Sequence, residues 1–231
     1  MDPNKKYPQK WAKHLRGMTA DGQIQLGTPF GDALRRLAAD SNHKTFLEVG
    51  TWNGRGSTLC LLEGMAEQPA GCHPRLLSLE ANRHMAEAAQ QLYGKFVDLP
   101  LRVIHGKLGA EMLDDGAILA HPLFERVRAH HRLHGQQERT DFFQATRIVP
   151  SSQIDVVVLD GGEFSGWGDW KAAQELKPKV VCMDDTHVMK NSDALADAKS
   201  KGWRVLAEGQ DRNGWVVLAS PLEPYPYDSW K

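Results

Sequence analysis

Two hydrophobic patterns alternate along most of this chain. Short apolar runs, typical of buried strands, are followed by segments in which apolar positions recur every three or four residues, as in helices that pack on one face. The run 154–159 is apolar almost throughout, which indicates a strand that is buried on both faces of a sheet. The pattern predicts strands over 45–49, 75–79, 101–105, 154–159, 180–183, 203–208 and 215–219.

Helices are predicted between these strands. Thr28 and Pro29 form a helix N-cap and a first helical residue, so a helix opens there and leads into the first strand. Asn213-Gly214 predicts a type I′ turn between the last two strands, which would make them antiparallel. Further helices are predicted over 56–66, 82–93, 169–176 and 192–201. The fold class is therefore α/β, with a doubly wound, mostly parallel seven-stranded sheet and an antiparallel C-terminal hairpin.

The whole chain, 1–231, is predicted to form a single domain, since 231 residues suffice for one substantial core. Residues 1–43 would be an N-terminal arm and helix, and residues 220–231 a Pro-rich tail. Residues 107–150 exceed what a strand–helix connection needs, and they are rich in Arg and His. We expect this segment to be a helical insertion or lid.

Charge and composition limit the classes of function that we expect for this chain. The formal net charge of −1 gives no general attraction to nucleic acid or to an anionic membrane. No apolar run is long enough to span a bilayer, and the polar N-terminus shows no signal peptide. Cys60 and Cys182 lie in apolar runs and are predicted to be buried thiols. We expect a cytoplasmic protein whose partner is a small molecule, not nucleic acid or membrane; a homo-oligomer stays open.

The stretch 45–60 is the most informative part of the sequence. An apolar strand leads into a loop that contains Gly50, Gly54 and Gly56 and then into a helix, a junction where a ligand can approach the backbone. The spacing does not match the G-x-G-x-x-G of dinucleotide-binding loops. It does not match a phosphate loop either, because Arg55 stands where the second glycine is needed and no lysine follows.

The spacing that remains, E-x-G-x-x-x-G-x-S/T from Glu48, resembles motif I of the class I S-adenosylmethionine (SAM)-dependent methyltransferases, especially small-molecule O-methyltransferases. Glu80, which ends the second strand, can accept two hydrogen bonds from a ribose diol, whether of SAM or of NAD. The resemblance implies a Rossmann-like methyltransferase fold with SAM as cofactor. The cofactor-binding residues that it implies are Glu48, Gly50, Thr51, Gly54, Ser57, Glu80, Gly106 and Lys107.

Acidic residues end two later strands. Asp160 follows the run 154–159, and Asp184 and Asp185 follow the strand 180–183. Carboxylates that converge repel one another unless a cation lies between them, and oxygen ligands favour a hard divalent ion such as Mg²⁺. The arrangement resembles the metal-dependent O-methyltransferases of the catechol and macrolide-sugar types, which implies Asp160, Asp184 and Asp185 as metal ligands. Alternatively, these acids cap helices or bond loop backbone.

The general base is where the sequence departs from those relatives. The sugar-modifying pattern is Asp-Gly-Asp, but this chain has Gly162 at its last position, and the lysine of the catechol type is also missing there. A hydroxyl on Mg²⁺ would lose its proton more easily, and a side chain must accept that proton. The candidate catalytic residues are Asp160, Glu163 and His187.

Further short motifs extend the resemblance over most of residues 44–219: DGGEF from Asp160, DDT from Asp184, KN from Lys190 and DRNGW from Asp211. Together they predict a SAM-dependent O-methyltransferase that acts on a hydroxyl of a small polar molecule, a sugar or glycoside, with divalent-metal assistance. Three alternatives stay open. They are a catalytically silent nucleoside-binding protein of the same fold, a phenol- or catechol-type O-methyltransferase, and an NAD-linked enzyme of the same sheet class.

Overall fold

The centre of the fold is one eight-stranded sheet. The computed structural model describes residues 8–15 and 17–222. In chain order the strands are β1 (Thr45–Val49), β2 (Arg75–Glu80), β3 (Leu101–Lys107), β4 (Thr146–Arg147), β5 (Val156–Leu159), β6 (Val180–Asp184), β7 (Arg204–Gly209) and β8 (Trp215–Ala219). Across the sheet they lie in the order β4-β3-β2-β1-β5-β6-β8-β7; β1 to β6 pair in parallel, and β8 runs antiparallel to both β6 and β7. The strand order reverses between β1 and β5, the place where such sheets bind ligands.

Helices cover both faces of this sheet. They are a 3-10 helix (Lys10–Leu15), α1 (Pro29–Ala39), α2 (Ser57–Glu67), α3 (Arg83–Tyr93), α4 (Asp115–Ala120), α5 (Phe124–Gln144), α6 (Gly166–Glu175) and α7 (Ser192–Ser200). Strand side chains alternate between the two faces. Val156 and Val158 of β5 therefore pack in the core under α1 and α2, whereas Val157 and Leu159 pack with Trp170 in the core under α6 and α7.

The predicted fold class is confirmed, and all seven predicted strands are present with bounds that differ by at most two residues. The number of strands was wrong, because the two-residue β4 pairs with β3 and adds an eighth strand at the edge. Thr146 and Arg147 are both exposed, so this strand has no apolar pattern by which the sequence could indicate it. The predicted burial of Cys60 and Cys182 is confirmed as well.

The turn of the C-terminal hairpin differs from the prediction. Gly209 pairs with Trp215, so the connection is longer than a two-residue type I′ turn. A type I′ turn needs positive φ at both central residues. Here the residues with positive φ are Arg212 at +58° and Gly214 at +79°, and Asn213 is not among them. The longer loop turns the side chains of Arg212 and Asn213 toward the acids that end β6.

The segment 107–150 contains α4, α5 and β4, and α5 supplies side chains to the cavity described below. Of the N-terminal arm, the 3-10 helix buries Trp11 and Leu15 in the main core. The predicted tail lies outside the described residues from position 223 onward. At 21 residues α5 is long but strongly charged, and no helix in the described ranges has the length and apolar character to cross a bilayer.

Candidate functional site

A cavity of about 650 Å³ opens at the carboxyl ends of the parallel strands. Its walls include the loop after β1, the end of β2, the end of β3, and the loops after β5 and β6. The other walls are formed by α5, the segment 21–24 and the loop of the C-terminal hairpin. Because all five strands are parallel, their carboxyl ends meet at the same edge of the sheet. The cavity therefore collects loop residues that are far apart in the sequence.

The glycine loop connects β1 and α2. Gly50 has φ +93°, and a Cβ there would overlap the carbonyl of Asp160, so only glycine lets the ends of β1 and β5 approach this closely. Gly54 has φ +82°, and a Cβ there would press on the ring of Tyr93, whose hydroxyl donates to the carbonyl of Gly54. Gly50, Thr51 and Ser57 line the cavity, whereas Gly54 packs on α3 behind it.

Glu48 lies beneath this loop and is fully buried. One of its oxygens, Oε2, accepts hydrogen bonds from the hydroxyls of Thr58, at 2.7 Å, and Ser78. The other oxygen, Oε1, has no hydrogen-bond partner among the described residues. Burial raises the pKa of this carboxyl group, against the effect of its hydroxyl partners. Glu48 is not among the residues that line the cavity, so it supports the loop from behind.

Glu80 ends β2 at the wall of the cavity. Its carboxylate accepts the backbone N–H of Trp52 at 2.6 Å and of Asn82 at 2.8 Å, which ties the glycine loop to the start of α3. Burial raises its pKa, while these two hydrogen bonds act in the opposite direction. A carboxylate has about four acceptor positions, so two hydrogen bonds leave capacity for a ligand diol.

Gly106 and Lys107, at the end of β3, also line the cavity. The ammonium of Lys107 donates to the carbonyl of Phe142 at 2.6 Å and lies 3.8 Å from the centre of the Phe142 ring. Burial lowers its pKa. Lys107 thus connects the end of β3 to the C-terminal part of α5.

Asp160, Asp184 and Asp185 converge, with one oxygen of each lying within 4.8 Å of the others. Two cations of the chain contact them directly. The ammonium of Lys190 lies 2.9 Å from Asp160 Oδ1 and 2.7 Å from Asp185 Oδ2. The guanidinium of Arg212 lies 2.6 Å from Asp184 Oδ2 and 3.8 Å from Asp185 Oδ1.

Burial and these ion pairs together shift the pKa values of the groups in the cluster. Burial raises the pKa of Asp160, and burial together with Asp160 raises that of Asp184 to about 7. Burial would also raise the pKa of Asp185, but Lys190 and further partners hold it below its usual value. Burial would lower the pKa of Lys190, yet the three carboxylates raise it well above the ordinary value. Lys190 is therefore an ammonium at neutral pH.

Whether a divalent cation fits this cluster depends on the carboxylate oxygens that would coordinate it. Three carboxylates suit Mg²⁺ by chemistry and by spacing. However, Lys190 already bridges two of them, and Arg212 pairs with the third. A metal ion could be coordinated by all three only after Lys190 had moved away. The residues present do not fit a metal in this arrangement, so no chemical step is derived through one.

The position of Lys190 is determined by its surroundings. Its carbonyl lies so close to Gly166 that a Cβ at residue 166 would overlap it. The amide of Asn191 donates to the carbonyl of Leu159 at 3.2 Å and to that of Asp184 at 2.7 Å. The backbone N–H of Lys190 donates to Glu163 Oε1 at 3.2 Å. The segment is thus bonded to the ends of both β5 and β6.

Of the two candidate bases, Glu163 lines the cavity and His187 does not. Burial raises the pKa of Glu163 to about 7. His187 packs against Gly214, where a Cβ would press on its ring, and its carbonyl accepts from Arg126 at 3.0 Å. Its contacts belong to the hairpin loop and α5.

The side of the cavity formed by α5 was not indicated by the sequence motifs. His130 pairs with Glu138 across 3.0 Å, and hydrogen bonding to Glu138 raises the pKa of His130. Asp141 accepts from the amide of Asn82 at 2.8 Å. The acids and polar residues of this segment carry no recognisable spacing, so the sequence predicted only a helical insertion or lid. The α5 residues that line the cavity are His130, His134, Gln137, Glu138, Asp141 and Phe142.

Most of the predicted site residues meet in this cavity. Of the predicted set, those that line it are Gly50, Thr51, Ser57, Glu80, Gly106, Lys107, Asp160, Glu163, Asp184 and Asp185. Glu48, Gly54 and His187 do not line it. Lys190 and Arg212 line it as well; both lie in the short sequence motifs, but the sequence assigned neither of them a partner. A Lys six residues and an Arg 28 residues from Asp184 carry no spacing signal for such pairing.

No protein-family model matches the chain, and no curated protein matches it with significance. Solved structures do match. Cofactor-bound Rv0187 from MTB superposes with a TM-score of 0.53 at 16% identity, covering 90% of this chain and 87% of that chain. SAH-bound Podospora anserina methyltransferase PaMTH1 has a TM-score of 0.53 at 12% identity, covering 94% and 90%.

An O-methyltransferase from Bacillus cereus in complex with SAH gives a TM-score of 0.50 at 15% identity, covering 90% of this chain and 86% of that chain. Identities this low establish similarity of fold alone. This chain therefore has the fold of the class I SAM-dependent methyltransferases.

Proposed function

We propose that this protein is a SAM-dependent O-methyltransferase that methylates a hydroxyl of a small polar molecule, a sugar or glycoside. The main support is one cavity in which a nucleoside-binding side, with Gly50 and Glu80, faces an ionic side with Asp160 and Lys190. A methyl donor and a hydroxyl acceptor need such adjacent sites. The neighbours of the same fold that are O-methyltransferases support the same reaction class.

Cofactor binding is assigned to the glycine loop and to Glu80. The loop can approach a ligand closely because Gly50 has no side chain, and Glu80 offers free acceptor capacity to a ribose diol. Gly106 and Lys107 would border the base. The cofactor, when bound, supplies a methyl group on a sulfonium, which is already a good electrophile. The chain must therefore supply position and a reactive hydroxyl oxygen.

The acceptor is expected to be polar, because polar side chains face the cavity from α5. His130, His134, Gln137 and Glu138 provide donors and acceptors suited to a polyol. The apolar or aromatic walls that a phenol would require are few on this side. A sugar or glycoside therefore fits better than a catechol.

Glu163 is the proposed proton acceptor. It lines the cavity, and with a pKa of about 7 a large share of it is carboxylate at neutral pH. When the acceptor oxygen bonds to the methyl carbon, the hydroxyl proton passes to Glu163, and the electron pair of the broken carbon–sulfur bond stays on sulfur. No metal is needed to balance this step.

Magnesium assistance remains a prediction of the sequence. The three candidate ligands, Asp160, Asp184 and Asp185, lie close together, which favours metal binding. Their ion pairs with Lys190 and Arg212 disfavour it. Measuring the methyl-transfer rate with EDTA and with added Mg²⁺ shows whether the reaction depends on a metal. The location in the cytoplasm and a homo-oligomeric state are likewise proposals from the sequence.

The test begins with calorimetry. We expect SAM and S-adenosylhomocysteine (SAH) to bind and NAD not to bind. Methyl transfer from labelled SAM is then measured across a panel of sugars, glycosides, phenols and catechols. Binding of NAD without binding of SAM would refute the proposal. Binding of SAM without transfer to any acceptor would favour the silent nucleoside-binding protein, and transfer to phenols alone would favour the catechol type.

A further inference from the structure

We infer that the ammonium of Lys190 takes the place of a divalent metal in this site and holds the acceptor hydroxyl by a direct hydrogen bond. This inference rests on the proposed methyl transfer for its chemical step. Its structural part, that an internal cation excludes a metal from Asp160, Asp184 and Asp185, can be tested without any methyl transfer.

The geometry of the ammonium carries the inference. Lys190 Nζ lies 2.9 Å from Asp160 and 2.7 Å from Asp185, between two of the carboxylates that would have to hold a metal together. Its side chain is only 10% exposed, so water screens these pairs weakly. Arg212 pairs with the remaining carboxylate at 2.6 Å. The three acids thus face two fixed positive charges, which leaves at most one net negative charge to attract Mg²⁺.

Lys190 is built into this position. Gly166 leaves room for the carbonyl of Lys190, and Asn191 bonds to the ends of β5 and β6. Its backbone N–H also donates to Glu163. A surface lysine that met the acids by chance would not need a glycine at one contact and a buried amide at the next. The segment 190–191 therefore holds the ammonium in the cavity.

The ammonium has one donor left for a ligand. A lysine carries three N–H groups, and the described residues accept two of them, through Asp160 and Asp185. Lys190 also lines the cavity, beside Glu163. When the oxygen of the acceptor hydroxyl accepts this third hydrogen bond from Lys190, the pKa of that hydroxyl group is lowered. Its proton then passes to Glu163 as the oxygen bonds to the methyl carbon, and the carbon–sulfur electron pair stays on sulfur.

The first experiment measures metal binding with Mn²⁺ as the probe, by the loss of its free-ion signal in electron paramagnetic resonance. We expect wild type and the exposed-lysine control Lys199→Met to leave stoichiometric Mn²⁺ free. Lys190→Met, which keeps the stem and removes the charge, should bind one ion. An added Asp184→Asn should abolish that binding. Wild-type protein that binds one Mn²⁺ with loss on Asp184→Asn would overturn the inference.

The second experiment measures methyl transfer and SAH affinity. EDTA should leave the wild-type rate unchanged. Lys190→Met should lower kcat by about 100-fold or more, the effect of removing one donor to a developing oxyanion, with SAH affinity unchanged. Lys190→Arg keeps the charge, so it checks folding and should retain part of kcat. Loss of all activity in EDTA, recovered with Mg²⁺, would contradict the inference.

The two arms separate the possible failures. If wild-type protein fails to bind SAM or SAH, the proposed function is wrong, while the Mn²⁺ titration still decides whether Lys190 excludes a metal. If SAM binds and methyl transfer occurs only with Mg²⁺, the proposed function stands and the role of Lys190 is refuted. If Lys190→Met unfolds, two other measurements still test the role of Lys190. They are Mn²⁺ binding by the wild type, which should be absent, and the kcat of Lys190→Arg in EDTA, which should be partly retained.

Discussion

Glu138 of α5 occupies the space beside Gly162 that any side chain at position 162 would need. Its Oε1 accepts the backbone N–H of Phe164 at 2.8 Å, and its Oε2 lies 3.0 Å from His130. A carboxylate from the insertion thus stands next to the loop after β5, where the glycine makes its approach possible. This contact links α5 to the acids of the site.

Replacing that glycine tests the contact. Gly162→Asp should displace Glu138 by overlap and by repulsion of like charges, leaving the N–H of Phe164 without its acceptor. We expect a loss of about 1–3 kcal/mol in the free energy of unfolding, measured in urea. Adding Glu138→Ser should relieve the overlap and the repulsion but not restore that acceptor, so the double variant should lose less than the sum of the two single losses. Strictly additive effects of the two substitutions would show that the residues are not coupled.

Glu80 is predicted to bind the cofactor ribose. Glu80→Gln keeps the size and one acceptor oxygen but removes the charge, so the Kd for SAH measured by calorimetry should rise by about 10- to 100-fold. Glu87→Gln on the exposed face of α3 is the matched control and should leave the Kd unchanged. An unaltered Kd for Glu80→Gln would remove Glu80 from the binding site.

The rate of methyl transfer is predicted to depend on the ionisation of Glu163. Only the carboxylate can accept a proton, and its pKa is about 7 because the group is buried. We therefore expect kcat to rise as the pH increases through about 7 and then to level off. Glu163→Gln should lower kcat and remove this rise. A wild-type profile without a change near pH 7 would argue against Glu163 as the base.

The same raised pKa affects stability. A carboxyl with a pKa of about 7 in the folded state and an ordinary value of 4.5 when unfolded stabilises the protein below about pH 4.5. That contribution is lost as the pH rises toward 7. Relative to wild type, Glu163→Gln should therefore gain stability between pH 5 and pH 8 in urea unfolding. A difference that is constant over this range would mean that the pKa is not raised.

Asn191 is predicted to be important for stability. Its buried amide donates to the carbonyls of Leu159 and Asp184, and Asn191→Ala would leave both unsatisfied. We expect a loss of about 2–3 kcal/mol in the free energy of unfolding. Asn191→Asp should be at least as damaging, because it replaces the donor by a second acceptor. Gln136→Ala on exposed α5 is the control and should change stability by less than about 0.5 kcal/mol.

Predictions from the sequence were most accurate where they depended on periodicity. The apolar runs identified the central strands because buried parallel strands have few polar positions. Their parallel pairing then brought Glu80 and Asp160 to one edge of the sheet, as the alternation of strands and helices implied. Features without a pattern were missed, such as the two-residue β4 and the loop around Arg212.

The direction in which a side chain points could not be predicted from the hydrophobic pattern. Glu48 and Gly54 are within two positions of lining residues but lie behind the loop, because successive positions at a strand end and a turn point in different directions. Asp185 has φ +53°, an unfavourable value for most residues, and this orientation turns its carboxylate toward Lys190 and Asn213. Such local conformations depend on partners from other elements.

The sequence by itself determined the α/β sheet, the glycine loop and the acids at the strand ends, since these follow from local periodicity and from parallel topology. Only the tertiary structure decided what neutralises the acids. Asp160 pairs with Lys190 and Asp184 pairs with Arg212, each across about 30 positions of the chain. Whether a cluster of carboxylates takes up a metal depends on cations that packing brings to it, and packing between distant segments leaves no spacing rule in the sequence.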